Sequence, residues 1–171
     1  MTHHVITMRS ALGACFAAGL LIGGPALATP ASGFAAIQQW KGVYPPMQLN
    51  TPSDRKGDKD DKWDVKLQTK DTSDVYVTRN AIAVGGQSGW HSHPGPSLIT
   101  VTVGTITSYE GSDPACSPTI YHAGQGFVDY GDHAHLLRNE SGAAAETVAV
   151  QFLPAGATRR IDEPRPTNCS L

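Results

Sequence analysis

Gly85 to Gly104, GGQSGWHSHPGPSLITVTVG, is the stretch whose reading decides the fold. His91 and His93 stand one residue apart after a glycine-rich turn, and strict apolar/polar alternation starts just beyond them. Residues i and i+2 of an extended strand share a face. Both imidazoles are therefore expected on one side, as a metal ion would need. The plainer reading is a surface loop with two incidental histidines, because an isolated His-x-His is a weak signal. After Pro94-Gly95-Pro96, which cannot continue a ladder, Ser97, Ile99, Val101 and Val103 fall on the same row and Leu98, Thr100 and Thr102 on the other. Gly104 then allows a reversal into TITSYE, giving a hairpin.

Further along, GQGFVDYGDHAHLLRN over 124–139 places a third imidazole, His135, four residues before Asn139. His133 is two residues upstream and is expected to point the same way. Three imidazoles from two distant strands would make a metal site open on one side.

Together the two segments resemble the paired motifs of the cupin superfamily. Gly85, His91, His93 and Gly104 match the first motif, with Ser97 where a glutamate belongs. Gly124, His135 and Asn139 match the second, with Tyr130 and Asp132 at its proline and glycine positions. The resemblance covers about residues 65–155. It implies an all-β double-stranded β-helix, or jelly-roll barrel, and a divalent ion (Zn, Fe, Mn, Ni or Cu) on His91, His93 and His135. With Ser97 unable to act as a carboxylate, the fourth position falls to water or to His133. Glu110 lies too far along the hairpin to be favoured. A metal-free site, its histidines only hydrogen bonding, stays open. The family spans dioxygenases, isomerases, decarboxylases and non-catalytic binders, so fold alone names no reaction.

The rest of the chain sets the context. It has 171 residues, the size of one domain with extensions. Arg9, an apolar run from Ala11 to Ile22 and Ala26-Leu27-Ala28 read as a secretory signal peptide over 1–28, cleaved before Thr29. The alternative, a membrane anchor, would need roughly 20 apolar residues. A lipoprotein reading at Cys15 has too short an apolar stretch before it. Export leaves Cys116 and Cys169, expected to form a disulfide worth on the order of 3 to 4 kcal/mol by loop-closure entropy. Two unpaired thiols are the alternative.

The net charge of -2 becomes -3 without Arg9, and no basic stripe is present, which argues against nucleic acid as a partner. Phe34, Ile37 and Trp40 recur every three residues, predicting a short helix before Pro45-Pro46 or else an exposed arm. Gln48 to Asp64 is polar and charged and reads as a mobile linker, without the regular spacing of a calcium loop. These two pieces form the 29–64 arm and linker, and an irregular tail is expected over 156–171. Two functions remain: an exported metal-dependent enzyme acting on a small oxygen-rich molecule, or a non-enzymatic binding module for a small ligand or metal. Cupins often pair, so the resemblance also implies a homodimer, for which the sequence shows no distinctive interface.

Overall fold

The computed structural model describes residue 1 and residues 28–52 and 64–171. The expected signal segment lies outside the described residues except at its two ends, and the charged run 53–63 lies outside them entirely. Among the described residues every regular element is a strand, as the punctuated alternation predicts.

The twelve strands are β1 (Ser32–Tyr44), β2 (Gln48–Pro52), β3 (Asp64–Gln68), β4 (Ser73–Gln87), β5 (His91–Ser92), β6 (Ser97–Val103), β7 (Thr105–Glu110), β8 (Thr119–His122), β9 (Gly126–Asp129), β10 (His135–Arg138), β11 (Ala145–Pro154) and β12 (Ile161–Asp162). Ten of them form one antiparallel sheet folded into two walls. The first wall runs β1, β4, β11, β6, β9. The second runs β12, β5, β10, β7, β8. The walls join where Gln87 at the end of β4 pairs with Arg138 of β10. This non-sequential, all-antiparallel order is a double-stranded β-helix, a nearly closed barrel whose two walls enclose one core.

The alternation in β6 is realised. Ser97, Ile99 and Val101 are buried, whereas Leu98 and Thr100 are exposed. Ile99 and Val101 meet Ile82, Ile106, Leu137 and Ala145 between the walls, with Phe34, Tyr121 and Phe127 at the margin. Trp90, adjacent to His91, turns to the opposite side as strand parity requires. There it packs with Tyr109, Leu136 and Cys169, so its cover is the C-terminal tail rather than the facing wall. The Cys116–Cys169 disulfide forms, with a sequence separation of 53, and fastens that tail.

The short helix predicted before Pro45 is instead β1, which pairs with β4 along almost its whole length. The register is irregular at Ser32/Phe34 and Ala36/Gln38, and Phe34 is partly buried while Ile37 and Trp40 are exposed, so the period-three spacing does not mark one buried face. Ladder pairing outweighs local periodicity here. The expected linker also departs from the reading at its ends, because Gln48–Pro52 and Asp64–Gln68 pair as a two-stranded sheet separate from the barrel. The tail is not wholly irregular either: β12 adds to β5, with Ile161 opposite Ser92 and Asp162 opposite His91.

Candidate metal centre

Strand register assembles the histidines. His135 of β10 pairs directly with His91 of β5, which puts their rings on one face with centroids 4.2 Å apart. His93, just past β5, brings its ring to 4.9 Å from His91 and 5.2 Å from His135. One ligand atom from each of the three lies within 4.8 Å of the others, and all three residues are buried.

Each ring is oriented by main chain. Nδ1 of His91 is 2.9 Å from the Gly89 carbonyl, that of His93 2.6 Å from the Arg159 carbonyl, and that of His135 3.2 Å from the His133 carbonyl. A carbonyl only accepts, so Nδ1 carries the hydrogen in every ring and Nε2 keeps its lone pair. Backbone carbonyls holding the distal N–H are the usual outer support of a metal-ligating histidine. Gly89 makes the first of these contacts possible. Its φ of 70° is left-handed, and a Cβ there would stand 2.1 Å from the Thr29 carbonyl oxygen.

Burial keeps the rings neutral. It holds His91 down at about 2, with His135 and Arg160 repelling a proton further, and His93 at about 4. His135 is likewise lowered, again chiefly by burial. Neutral imidazoles in a desolvated cluster are the form that binds metals.

The site also contains a carboxylate that sequence reasoning missed. Asp129 ends β9, and the β6/β9 register sets it directly opposite Ser97. It is 4% exposed. Oδ1 accepts from Gly131 N at 2.8 Å and lies 3.4 Å from His135 Nδ1. Oδ2 lies 3.6 Å from His93 Nε2, too long for a hydrogen bond, and has no hydrogen-bond partner. A buried carboxylate on the neighbouring strand thus stands across from the row that holds Ser97. Ser97 itself is 1% exposed, and its Oγ is also without a partner.

The other residues singled out from sequence fall elsewhere. His133 does not join the cluster: its exposed side chain turns to Asp132, Nδ1 to Oδ1 2.8 Å, and only its carbonyl serves the site. Alternation did not extend to it because β10 begins at His135. Glu110, judged too distant, pairs with His135 across β7 and β10. Although the residue as a whole is exposed, desolvation of its carboxyl and then Asp129 push it up to about 7. It is not part of the three-histidine group. Tyr130 is exposed. Asn139 is structural, its Nδ2 donating to the Ile82 and Ala143 carbonyls. Gly131, with φ 86°, precedes Asp132; its N–H holds Asp129 and its carbonyl receives His93 N.

No family model matches the chain, and no curated protein does. Solved structures do resemble it. A conserved protein with a double-stranded β-helix domain from Klebsiella pneumoniae is 21% identical, over 70% of this chain and 85% of that one, with a TM-score of 0.42. A cupin 2 conserved barrel domain protein from Leptotrichia buccalis is 19% identical over 45% of this chain and 35% of its own, with a TM-score of 0.40. An oxalate oxidase is 24% identical over 52% of this chain and 45% of its own, with a TM-score of 0.44. The chain spans less than half the length of these last two.

The strand order makes this an all-β, nearly closed antiparallel barrel of the double-stranded β-helix kind. Within it the histidine cluster sits on the inner face of the second wall. A cavity of about 200 Å³ opens beside it, lined by the three histidines, Ser97, Thr78, Gln151 and two arginines of the tail, Arg159 and Arg160. No sequence signal for those arginines was available, since they come from a segment read as irregular. In this barrel the buried trio could hold a transition-metal ion, and the donor set fits one: three neutral imidazoles with free Nε2 atoms, and a buried carboxylate oxygen in need of a partner.

Proposed function

We propose that the protein is an exported cupin that holds a divalent transition-metal ion on Nε2 of His91, His93 and His135, with Asp129 as its anionic partner, and that uses it in chemistry on a small oxygen-rich molecule. The observation that carries this reading is the triple Nδ1-to-carbonyl pattern, which leaves Nε2 as the free nitrogen on each of three buried, clustered rings. Asp129 supports it. Donors sharing an ion at about 2.1 Å stand roughly 3 to 3.5 Å apart, and Asp129 Oδ2 is 3.6 Å from His93 Nε2. A bound ion would act as a Lewis acid toward a ligand oxygen. The protein's own part is to desolvate the rings, fix their poses and leave the cavity side open. Export is supported by the disulfide, which needs an oxidising compartment to persist.

Elemental analysis of the purified protein tests the metal. Wild type is expected to carry close to one equivalent, and His93→Ala well under a tenth of that. Equal content in both sinks the reading. Amino-terminal sequencing of the mature chain tests export, with Thr29 expected first. A binding module without turnover is distinguished by oxygen uptake with a panel of small acids and phenols, where reproducible turnover by the metal-loaded protein marks the enzyme.

A further inference from the structure

From the polar groups around the cavity we infer that it takes a small carboxylate, whose charge is received by Arg159 and whose oxygens are met by the hydroxyls of Thr78 and Ser97. This names the ligand class of the site proposed above and rests on that reading for the site's role, though not for its charge.

Arg159 is half-buried and lines the cavity. Its Nη1 donates to Gln151 Oε1 at 3.0 Å, and no carboxylate of the described residues pairs with it. Its neighbour is committed differently. Arg160 gives Nε to Asp162 Oδ1 at 2.6 Å and Nη2 to the Ser88 carbonyl at 2.8 Å. So one guanidinium is neutralised and tied down, while the other faces the same space with donors to spare. A guanidinium that loses water without gaining an anion is costly, and a bound carboxylate removes that cost through the bidentate geometry that suits arginine.

The opposite wall offers a second, independent sign. Thr78 Oγ1 and Ser97 Oγ are buried without a hydrogen-bond partner, in residues each 1% exposed, and both residues line this cavity. Buried hydroxyls are normally satisfied. Gln151 belongs to the same lining, and its amide oxygen is already taken by Arg159. The lining therefore holds N–H and O–H donors and one uncompensated positive charge. Its acceptors are the histidine Nε2 atoms, which face the metal position, and the amide oxygens of Asn80 and Gln151, the latter engaged by Arg159. Asp129, the nearby negative charge, lines a different cavity with Glu110 and Tyr130. A ligand rich in acceptors and carrying negative charge fits this lining, and a neutral or cationic one does not. At about 30 Å³ per water, the volume of about 200 Å³ equals roughly six or seven waters, which limits the ligand to a handful of non-hydrogen atoms.

Lactate and its neutral counterpart lactamide are suitable probes, compared by titration calorimetry or ligand-observed NMR on wild type, Arg159→Gln, Arg159→Lys and, as a surface control, Arg79→Gln. Metal content is measured on every sample. Wild type is expected to bind lactate at least tenfold more tightly than lactamide. Arg159→Gln should lose tenfold or more toward lactate with metal content retained, and Arg159→Lys should recover part of that loss. Arg79→Gln should match wild type. Equal binding of the two probes by wild type, undetectable lactate binding, or undiminished binding by Arg159→Gln overturns the inference. The comparison of the two probes on wild type decides the matter even if a variant fails to fold. Should the protein prove metal-free, the metal reading falls, while the lactate comparison still judges the role of Arg159 separately.

Discussion

Asp129→Asn is the most searching perturbation of the centre because the change is nearly isosteric and the geometry says what it will do. The retained Oδ1 can still accept from Gly131 N, as it does now at 2.8 Å, so the turn that carries the residue keeps its bond. The atom that changes is Oδ2, unpartnered and 3.6 Å from His93 Nε2. An amide nitrogen in its place removes a negative charge and offers a donor to the lone pair the metal needs. The charge that Asp129 would face is the ion rather than the neutral His93 ring, and a unit-charge pair about 4 Å apart is worth about 4 kcal/mol at an effective dielectric of about 20. Part of it offsets the desolvation of the buried carboxylate. The net loss should resemble that for removing other supporting groups around metal ligands, roughly 10- to 100-fold in affinity, or about 1.4 to 2.7 kcal/mol. Zinc affinity would be read by competition with a chromophoric chelator at constant pH, with circular dichroism confirming the fold. Because Ser97 lies opposite Asp129 in the β6/β9 register, adding Ser97→Glu to Asp129→Asn is expected to restore most of the affinity. A folded Asp129→Asn protein that binds zinc within twofold of wild type would refute the assignment.

Other outcomes follow from the same contacts. In metal-free protein, the depressed histidines bind fewer protons than their unfolded counterparts below pH 6.5, so stability is present above that value and is lost as pH falls toward the folded values of about 4 and about 2. The slope should approach about 1.4 kcal/mol per pH unit for each such ring. Urea midpoints at pH 7, 5.5 and 4.5 will show it, and a flat profile contradicts the burial argument. Reducing Cys116–Cys169 frees a segment of 53 residues and should cost about 4 kcal/mol by the chain-entropy estimate, seen as a lower melting temperature that a Cys169→Ser variant reproduces without reductant. Gly131→Ala combines a left-handed φ with a Cβ 2.3 Å from the Gly95 carbonyl oxygen. It should destabilise by more than about 1 kcal/mol and weaken metal binding along with it, since Gly131 holds both Asp129 and His93.

Local chemistry made much of this molecule readable. His91 and His93 share a side because two residues is the strand repeat, and the alternation after Pro96 placed Ser97 on the row facing them. His135 could be matched to the pair through the spacing of the second segment. What could not be read depends on pairing between distant strands. Asp129 matters only because β9 lies beside β6 in one particular register, and a shift of one residue would point its side chain to the other side of the sheet. Arg159 and Arg160 arrive from a tail whose path is set by the disulfide and by β12, neither of which leaves a local periodicity. His133 shows the converse: strand alternation does not reach it, because the chain enters β10 only at His135. At β1 a period-three spacing of apolar residues carries no helix, because pairing with β4 decides the backbone.

The way the three imidazoles are held has a bearing on mutational tolerance. Their orienting acceptors are the carbonyls of Gly89, His133 and Arg159, and no single substitution deletes a carbonyl. Neighbouring side chains can therefore drift without re-aiming the rings, and vulnerability concentrates where the main chain itself is tightly constrained, above all at Gly89. Such a cluster is buffered against point changes in its surroundings while the ligand wall across the cavity, built from side chains alone, is left free to diversify.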